Sequence, residues 1–285
     1  MTRIADLLAA GPTISFEFFP PKNDEMERSL EKTLVELAPL HPSFVSVTYG
    51  ALGSTKDRTR ELVLRVNADS DFPAMPHLTC VGHTKADVVE LLEVYRAGKI
   101  ENVLALGGDP PADGSDAGGE FDYATQLVEL VHEVDGFCVG VAAHPELHPR
   151  SSDRDSDRRH LAAKLAMADF GITQFFFEAE PYVRMVEELA ALGCDKPIIP
   201  GVMATFVSVT VLRRMSGMNG TQIPADLSAR LDAVDGDSEA LAALGVERST
   251  ELCQELLDAG APGLHLYALN RSASVTAVLK NLDLR

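Results

Sequence analysis

Hydrophobic and polar positions along the chain switch repeatedly between two periods. Short runs rich in Val, Ile and Phe are separated by longer amphipathic runs, a pattern typical of strands followed by helices. The predicted strands are Thr13–Phe19, Phe44–Tyr49, Ala74–Cys80, Asn102–Gly107, Phe137–Ala143, Ile172–Phe177, Pro197–Met203 and Gly263–Leu269. Their spacing indicates right-handed βαβ units and a parallel sheet. Eight such units predict a single-domain (β/α)8 TIM barrel over residues 1–285, and an open doubly wound sheet is the alternative.

The amphipathic runs predict the helices between these strands. They are Arg3–Ala10, Asp24–Leu40, Thr55–Ala68, Thr84–Ala97, Phe121–Val134, Ser156–Phe170 and Pro181–Leu192. One segment, residues 204–262, breaks the regular spacing between the seventh and eighth strands with the extra helices Val207–Met215, Ala225–Val234 and Glu239–Ala259. Extra helices of this kind usually belong to the functional rim of a barrel, so we expect the insert to cover part of the site. A passive elaboration or a subunit contact is an equal alternative.

The first predicted strand carries one carboxylate among three phenylalanines and ends at two prolines, over residues 15–21. Alternation sends Phe16 and Phe18 to the face under the helices, and Ser15, Glu17 and Phe19 to the inner face. Burial raises the pKa of a carboxylic acid, and an acid that keeps its proton near neutral pH can act as a general acid. We therefore predict a catalytic role for Glu17. A buried glutamate paired with an Arg or Lys is the alternative.

Polar residues stand where nearly every predicted strand ends, which is where a barrel concentrates its chemistry. They are Glu17, Thr48, His77, Thr79, Asp109, His144, His148, Gln174, Glu178, Tyr267 and Arg271. One isolated residue of this kind would usually be a structural hydrogen-bonding group. Polar residues at the ends of nearly all the strands indicate an active site.

Two chemistries could use this ring. Metal-assisted hydrolysis or lyase chemistry would use His77, His144, His148, Asp109 and Glu178 as ligands. Pro145 disfavours a helix that would bring His144 and His148 to one face, so we predict no metal site and keep this reading as the alternative. Redox or one-carbon chemistry on a heteroaromatic ligand is favoured by aromatic neighbours and by Gln174, whose amide suits a pterin edge. Phe176 shares a face with Gln174 on simple alternation and is the predicted pocket residue.

Composition narrows the range of partners. The formal net charge of -18 argues against nucleic acid and against anionic membranes. The four cysteines are far apart in sequence, which suggests reduced thiols in a cytoplasm. The N-terminal run is too short for a signal peptide, and no later run is long enough to span a membrane.

Several segments together resemble the methylenetetrahydrofolate reductase family, in order and at matching spacing. They are Ser15–Pro21, Val45–Ala51, Pro76–Cys80, Ala105–Asp109, Ile172–Phe177, Ile198–Gly201 and Leu269–Arg271. The resemblance implies a (β/α)8 barrel that reduces 5,10-methylenetetrahydrofolate with NADH or NADPH, usually through bound FAD. It also implies a cytoplasmic enzyme whose partners are methylenetetrahydrofolate and a nicotinamide nucleotide, with a homo-oligomer as one possible state.

The resemblance also assigns roles to individual residues. Glu17 would be the general acid, Asp109 would stabilise a cationic intermediate, and Thr48 would lie near the transferred hydride. Gln174 would contact folate and nicotinamide in turn, and Leu269 and Arg271 would lie at the folate site. Together with the pocket aromatics, the predicted substrate-binding residues are Gln174, Phe176, Phe206, Tyr267, Leu269 and Arg271. The predicted cofactor-binding residues are His77, Tyr123, Ala124, His144, His148, Asp157 and Lys164.

Two positions depart from the family's flavin-binding pattern. Gly107 replaces an arginine and His144 replaces a tyrosine. Loss of the arginine removes a charge-assisted donor, which is equivalent to about ten- to a hundredfold in affinity. The sequence therefore leaves two routes open: hydride transfer through FAD, or direct transfer from NAD(P)H to the folate.

Overall fold

The computed structural model describes residues 2–49, 56–108 and 118–284, with the side chain of Lys56 excluded. Within them the strands form a closed parallel barrel in the order β1 to β8, and β1 pairs with both β2 and β8. The strands are β1 (Thr13–Phe18), β2 (Phe44–Val47), β3 (Ala74–Thr79), β4 (Asn102–Leu106), β5 (Cys138–Ala143), β6 (Phe170–Phe175), β7 (Ile198–Val202) and β8 (Gly263–Tyr267). The predicted (β/α)8 barrel is confirmed.

The helices alternate with these strands around the outside of the barrel. They are α1 (Ile4–Ala10), α2 (Asp24–Leu37), α3 (Lys56–Asp69), α4 (Lys85–Ala97), α5 (Ala124–Val134), α6 (Arg154–Ala166), α7 (Ala179–Ala191), α8 (Val209–Asn219), α9 (Ala225–Ala233), α10 (Ser238–Asp258) and α11 (Ser272–Asn281). The side chains of Asn23, Thr84, Asp153 and Ser208 accept backbone N–H groups at the starts of α2, α4, α6 and α8. The predicted helix Ser156–Phe170 is too long, because it ends at Ala166 and Phe170 begins β6.

Strand alternation divides the core into two layers. Phe16 and Phe18 are buried in the large cluster between the barrel and the helices, as predicted. A separate inner cluster fills the end of the barrel where the strands begin: Ile4, Phe44, Met75, Leu104, Cys138, Phe170, Ile172 and Ile199. Ile4 of α1 belongs to this cluster, and its N–H donates to Asn102 Oδ1 at 2.7 Å. Apolar packing therefore closes one end of the barrel and leaves polar chemistry to the other.

The insert adds a third cluster beside the open end. It consists of Phe175, Phe177, Met203, Phe206, Val209, Leu212, Leu227, Leu231, Leu241 and Leu244. Apolar residues of α8, α9 and α10 thus pack on the segments that follow β6 and β7. The insert is fixed to the barrel by a core of its own.

The end of β6 departs from simple alternation, which affects one predicted site residue. The pairing of β6 with β7 shifts register between Ile172 and Phe175. Phe175 consequently joins the insert cluster, while Phe176 is buried in the outer layer and stacks on Tyr182 of α7. The simple alternation behind the prediction for Phe176 does not hold, because a register shift moves later side chains to the other face. Its contact with a ligand stays a prediction.

Candidate active site

The inner faces of four strands bring a carboxylate, a hydroxyl and two imidazoles together near the open end of the barrel. Ser46 Oγ donates to Glu17 Oε2 at 3.3 Å, and His265 Nε2 lies 3.2 Å from the same oxygen. His77 Nε2 is also 3.2 Å from Glu17 Oε2. Glu17 is 6% exposed and His265 is fully buried. We call Glu17, Ser46, His77 and His265 the acid cluster.

The acid cluster lowers the pKa of Glu17, whereas the sequence predicted that burial would raise it. Burial is the largest single influence and raises this pKa, as the sequence suggested. The nearby charge of His77 and the hydrogen bond and charge of His265 together outweigh burial, and they lower the pKa from 4.5 to about 2. The prediction of a raised pKa is wrong for the free protein, and the alternative of an Arg or Lys partner is wrong too. The partners are histidines.

The two histidines hold Glu17 in different ways. His265 Nε2 makes a hydrogen bond to the carboxylate, and its Nδ1 lies 2.8 Å from Ser15 Oγ. His77 Nε2 is at ion-pair distance from Glu17, but its geometry falls short of a hydrogen bond, so this buried nitrogen has no hydrogen-bond partner. His77 was predicted to bind cofactor. The structure places it beside the acid, with a nitrogen that a ligand could satisfy.

Sequence reasoning missed Ser46 and His265, although the signal was present. Val45-Ser46-Val47 and Leu264-His265-Leu266 each place one polar residue between two apolar ones. That alternation sends the polar side chain to the inner face of the barrel. A search for isolated polar residues within apolar strands, in addition to those at strand ends, would have found both.

Asn270 connects the segment after β8 to the residue after β1 through two hydrogen bonds. Its side-chain Oδ1 accepts the N–H of Phe19 at 2.8 Å, and its Nδ2 donates to the carbonyl of Phe19 at 2.9 Å. Leu269 and Asn270 both have positive φ, 49° and 56°, a conformation that asparagine tolerates better than most residues. These two hydrogen bonds fix the backbone at Phe19, two residues after Glu17. Asn270 is therefore a positioning residue that the sequence motif contained and the prediction passed over.

The predicted cofactor residues gather after β5 and at the start of α5. His144 and His148 stack edge to face with ring centroids 4.5 Å apart. Burial is the main cause that lowers the pKa of His144 to about 3, so its ring is neutral at pH 7. Tyr123 is 64% exposed and precedes Ala124, the first residue of α5. Lys164 Nζ donates to the carbonyl of Ala142 at 2.6 Å, and burial lowers its pKa to about 8.

A buried arginine organises this segment. Arg158, 2% exposed, donates to the carbonyls of His144, Pro145 and Glu146 at 3.2, 2.6 and 3.1 Å. It also bonds Asp157 Oδ2 at 2.6 Å. Asp157 further accepts from the backbone of His148 and from Ser151, and it is only 5% exposed.

These contacts decide which part of a dinucleotide the segment fits. The Lys164 ammonium and the neutral imidazoles are donors suited to a diphosphate. Asp157, also predicted to bind the cofactor, has its carboxylate occupied by Arg158, Ser151 and the His148 backbone, so in this structure it positions the segment.

Two of the predicted folate residues, Gln174 and Tyr267, lie on β6 and β8, and β6 pairs directly with β5, the strand before His144. Asn219 Nδ2, at the end of α8, donates to Gln174 Oε1 at 3.3 Å, and Thr221 Oγ1 donates to the carbonyl of Phe175. The insert therefore covers Gln174. Tyr267 donates its hydroxyl to the carbonyl of Thr173 at 2.9 Å and packs against Phe175.

The remaining predicted site residues differ in how open they are. Phe206 is 4% exposed and packs against Phe177 and Gly245 of α10, and its predicted contact with substrate stays a prediction. Leu269 is partly buried and Arg271 is exposed just before α11. Thr48 follows β2, and its N–H donates to the carbonyl of Phe18 at 2.9 Å. Asp109 lies outside the described residues.

Two further observations concern metals and membranes. Within residues 2–49, 56–108 and 118–284, no three His, Cys, Asp or Glu side chains form a group able to hold a metal ion. In the same part of the chain, none of the helices combines the length and the apolar character that crossing a bilayer requires.

Comparisons with known proteins identify the family. The sequence pattern described as Methylenetetrahydrofolate reductase matches residues 2–283. The 5,10-methylenetetrahydrofolate reductase of Escherichia coli (strain K12) is 35% identical over 274 residues, which cover 95% of this chain and 91% of that protein. The Methylenetetrahydrofolate reductase (NADH) 1 of Arabidopsis thaliana is 36% identical over 299 residues, which cover 99% of this chain and 50% of that protein.

Solved structures agree on the fold. A protein from Clostridium thermocellum that binds two copies of 5-methyl-5,6,7,8-tetrahydrofolic acid superimposes with a TM-score of 0.65 at 17% identity, covering 98% of this chain and 96% of that one. A dihydropteroate synthase from Xanthomonas albilineans reaches a TM-score of 0.51 at 13% identity, covering 96% of this chain and 93% of that one. The sequence matches carry the assignment further than the fold does: the chain belongs to the methylenetetrahydrofolate reductase family and is an oxidoreductase.

Proposed function

We propose that the chain reduces 5,10-methylenetetrahydrofolate to 5-methyltetrahydrofolate, with NADH or NADPH as the electron donor. The family match supports the reaction. The observation that carries the mechanism is the acid cluster, in which a buried carboxylate shares a hydrogen bond with a buried imidazole inside the barrel. Such a pair can hold a proton away from bulk water until a substrate arrives.

The reaction needs one proton and one hydride. In the substrate a methylene carbon bridges N5 and N10 of the folate. Protonation of N10 lets the bond between that carbon and N10 break, with the electron pair going to N10, and leaves a cationic iminium at N5. A hydride added to the methylene carbon completes the methyl group. In this proposal Glu17 gives the proton, and its carboxylate then stabilises the neighbouring cation.

A pKa of about 2 makes Glu17 a carboxylate in the free protein at neutral pH. A carboxylate beside an imidazolium has the same number of protons as a carboxylic acid beside a neutral imidazole. The two states therefore interconvert when one proton moves along the hydrogen bond between Glu17 and His265. A bound pterin excludes water, and desolvation favours the neutral pair. Ligand binding would thus turn Glu17 into the acid.

The other residues position the two ligands. Gln174 offers its amide to the pterin once the ligand replaces Asn219 as its partner. Thr48 follows the strand next to Glu17, and Arg271 supplies a cation for the folate carboxylate. Asp109 adds negative charge near the cationic intermediate in this scheme, by its place in the family motif.

Lys164, His144 and His148 would hold a dinucleotide at its diphosphate, beside Tyr123 and Ala124. FAD, when bound, supplies a two-electron carrier between nicotinamide and folate. Without it, the nicotinamide must lie directly over the pterin and pass the hydride itself. These residues serve either arrangement, because both FAD and NAD(P)H contain a diphosphate.

Incubation of the purified protein with NADH and methylenetetrahydrofolate tests the proposal. We expect 5-methyltetrahydrofolate to appear by mass spectrometry in step with NADH oxidation, and deuterium from the reactive position of labelled NADH to reach the methyl group if transfer is direct. A visible spectrum of fresh protein and the kinetic pattern distinguish the routes: yellow and ping-pong for FAD, colourless with a ternary complex for direct transfer. Absence of product with both NADH and NADPH, with and without added FAD, would refute the function.

A further inference from the structure

Gly107 lies immediately after β4, and a Cβ added to it would meet no described atom closer than 3.9 Å. A Cβ atom placed on Gly107 would meet one described atom within 4 Å beyond its chain neighbours, Nη2 of Arg150 at 3.9 Å. The Arg150 guanidinium therefore lies next to the space into which a side chain at position 107 would extend. A cation contributed by the segment after β5 stands beside the end of β4.

The main chain around Arg150 is fixed although its side chain is exposed. The N–H of Arg150 donates to His148 Nδ1 at 3.1 Å, and the N–H of Ser151 donates to the carbonyl of His148 at 2.8 Å. Pro149 packs against Gly220 of the insert, whose added Cβ would lie 3.4 Å from Pro149 Cγ. The turn thus holds Arg150 at the opening, which is where ligands of parallel barrels bind.

Arg150 has no ion-pair partner among the residues that the structure describes, and its side-chain nitrogens make no hydrogen bond there. The formal net charge is -18, and most described arginines, such as Arg65, Arg158 and Arg213, pair with a carboxylate. The charges of Arg150 and Lys164 both act on His148 and lower its pKa, after burial, which is the main cause. Two cations therefore converge on one imidazole at the ends of β4 and β5.

We propose that Arg150 is a diphosphate-binding residue, which together with Lys164 holds the diphosphate of a dinucleotide above Gly107. A guanidinium binds phosphate oxygens with paired N–H donors, and Lys164 adds a second charge. This inference rests on the dinucleotide requirement of the proposed function. The ligand chemistry is a nucleotide diphosphate, and its two sources are NAD(P)H and FAD.

Binding measurements on four variants test this inference. R150Q removes the charge, R150K keeps the charge without the paired donors, and R150Q/G107R moves the guanidinium to β4. R159Q is the control, since Arg159 is an exposed arginine of α6 that pairs with Asp155. Each protein is titrated with NADH by fluorescence, with FAD by absorbance and with inorganic pyrophosphate by calorimetry. Melting temperatures establish that all variants are folded.

We expect R150Q to raise the Kd of at least one dinucleotide and of pyrophosphate about ten- to a hundredfold, because a charge-assisted contact is lost. R150K should lie between R150Q and wild type, R150Q/G107R should regain most of the affinity, and R159Q should match wild type. The dinucleotide that responds identifies the source of the diphosphate.

Equal affinities of R150Q and wild type, within twofold for all three probes, would overturn the role of Arg150. The proposed function can fail separately. If wild type forms no methyltetrahydrofolate but R150Q still loses pyrophosphate binding, the anion site stands and the reaction assignment falls.

Discussion

The two sides of the barrel opening carry charges of opposite sign in different settings. Around Glu17, a buried negative charge is surrounded by His77, His265 and Ser46, so the protein supplies its partners internally. Around Gly107, the positive charge of Arg150 is exposed and has no described partner, while Lys164 donates a hydrogen bond to the backbone carbonyl of Ala142. The first region is arranged to hold a proton and the second to receive an anion. In one opening, therefore, the protein itself supplies the partners of a buried charge on one side. On the other side, an anionic ligand supplies the partner of an exposed charge.

Removal of the acid should produce the largest change. E17Q keeps the size of the side chain but cannot release a proton, so we expect the rate of methylenetetrahydrofolate reduction to fall roughly 10²- to 10⁴-fold. NADH affinity should change much less than the rate, since Lys164, His144 and His148 at the proposed diphosphate site do not belong to the acid cluster. The control is E187Q, at an exposed carboxylate of α7 outside the opening, which should retain the wild-type rate. An E17Q rate within threefold of wild type would remove Glu17 from the mechanism.

His265 tests whether the internal partner sets the charge of Glu17. H265Q leaves Glu17 buried but removes one of the groups that lower its pKa, so this pKa should rise from about 2. Because the folded pKa lies below the value of 4.5, ionised Glu17 stabilises the fold above pH 4.5, and this contribution disappears as the pH falls from 4.5 towards 2.

We expect H265Q to lower the free energy of unfolding at pH 7 by about 1.5–3 kcal/mol, since a hydrogen bond to a charged group is lost. Infrared titration of the carboxyl band reports the pKa, and urea unfolding reports the stability. H160Q, at an exposed position of α6, is the control for losing a histidine. An unchanged carboxyl pKa would show that His77 alone sets the charge.

Asn270 tests how the acid is positioned. N270G keeps a residue suited to positive φ but loses both bonds to Phe19, so we expect a loss of about 1–3 kcal/mol in the free energy of unfolding. N270A loses the same bonds and adds backbone strain, so it should be less stable than N270G. Chemical denaturation measures both. Equal stability of N270G and wild type would show that the two hydrogen bonds between Asn270 and Phe19 do not stabilise the fold.

Sequence reasoning reached the fold and the position of Glu17, because alternation within a strand is a local property. It failed on the pKa of Glu17, whose hydrogen-bonded histidine lies 248 residues away in sequence. It did not anticipate the outer-layer packing of Phe176, because a register shift in β6 cannot be seen in the residue pattern. It passed over Arg150 because an exposed arginine in a loop carries no periodic signal, and only the space above Gly107 gives it significance.

The smallest expected effect concerns His144 and appears only in acid. Its folded pKa of about 3 lies below the ordinary value of 6.5, so the unfolded chain takes up the proton first as the pH falls. The neutral ring contributes its full amount to the free energy of unfolding above pH 6.5, and this contribution decreases towards pH 3. Between pH 6.5 and 5 the decrease is about 2 kcal/mol. H144Q and H144Y cannot titrate there, so both should flatten the pH dependence of unfolding by that amount. Urea unfolding at pH 7 and pH 5 measures this change in the free energy of unfolding. If the change is the same in wild type and both variants, burial of a neutral His144 does not stabilise the fold. This side of the opening would then be less desolvated than its geometry indicates.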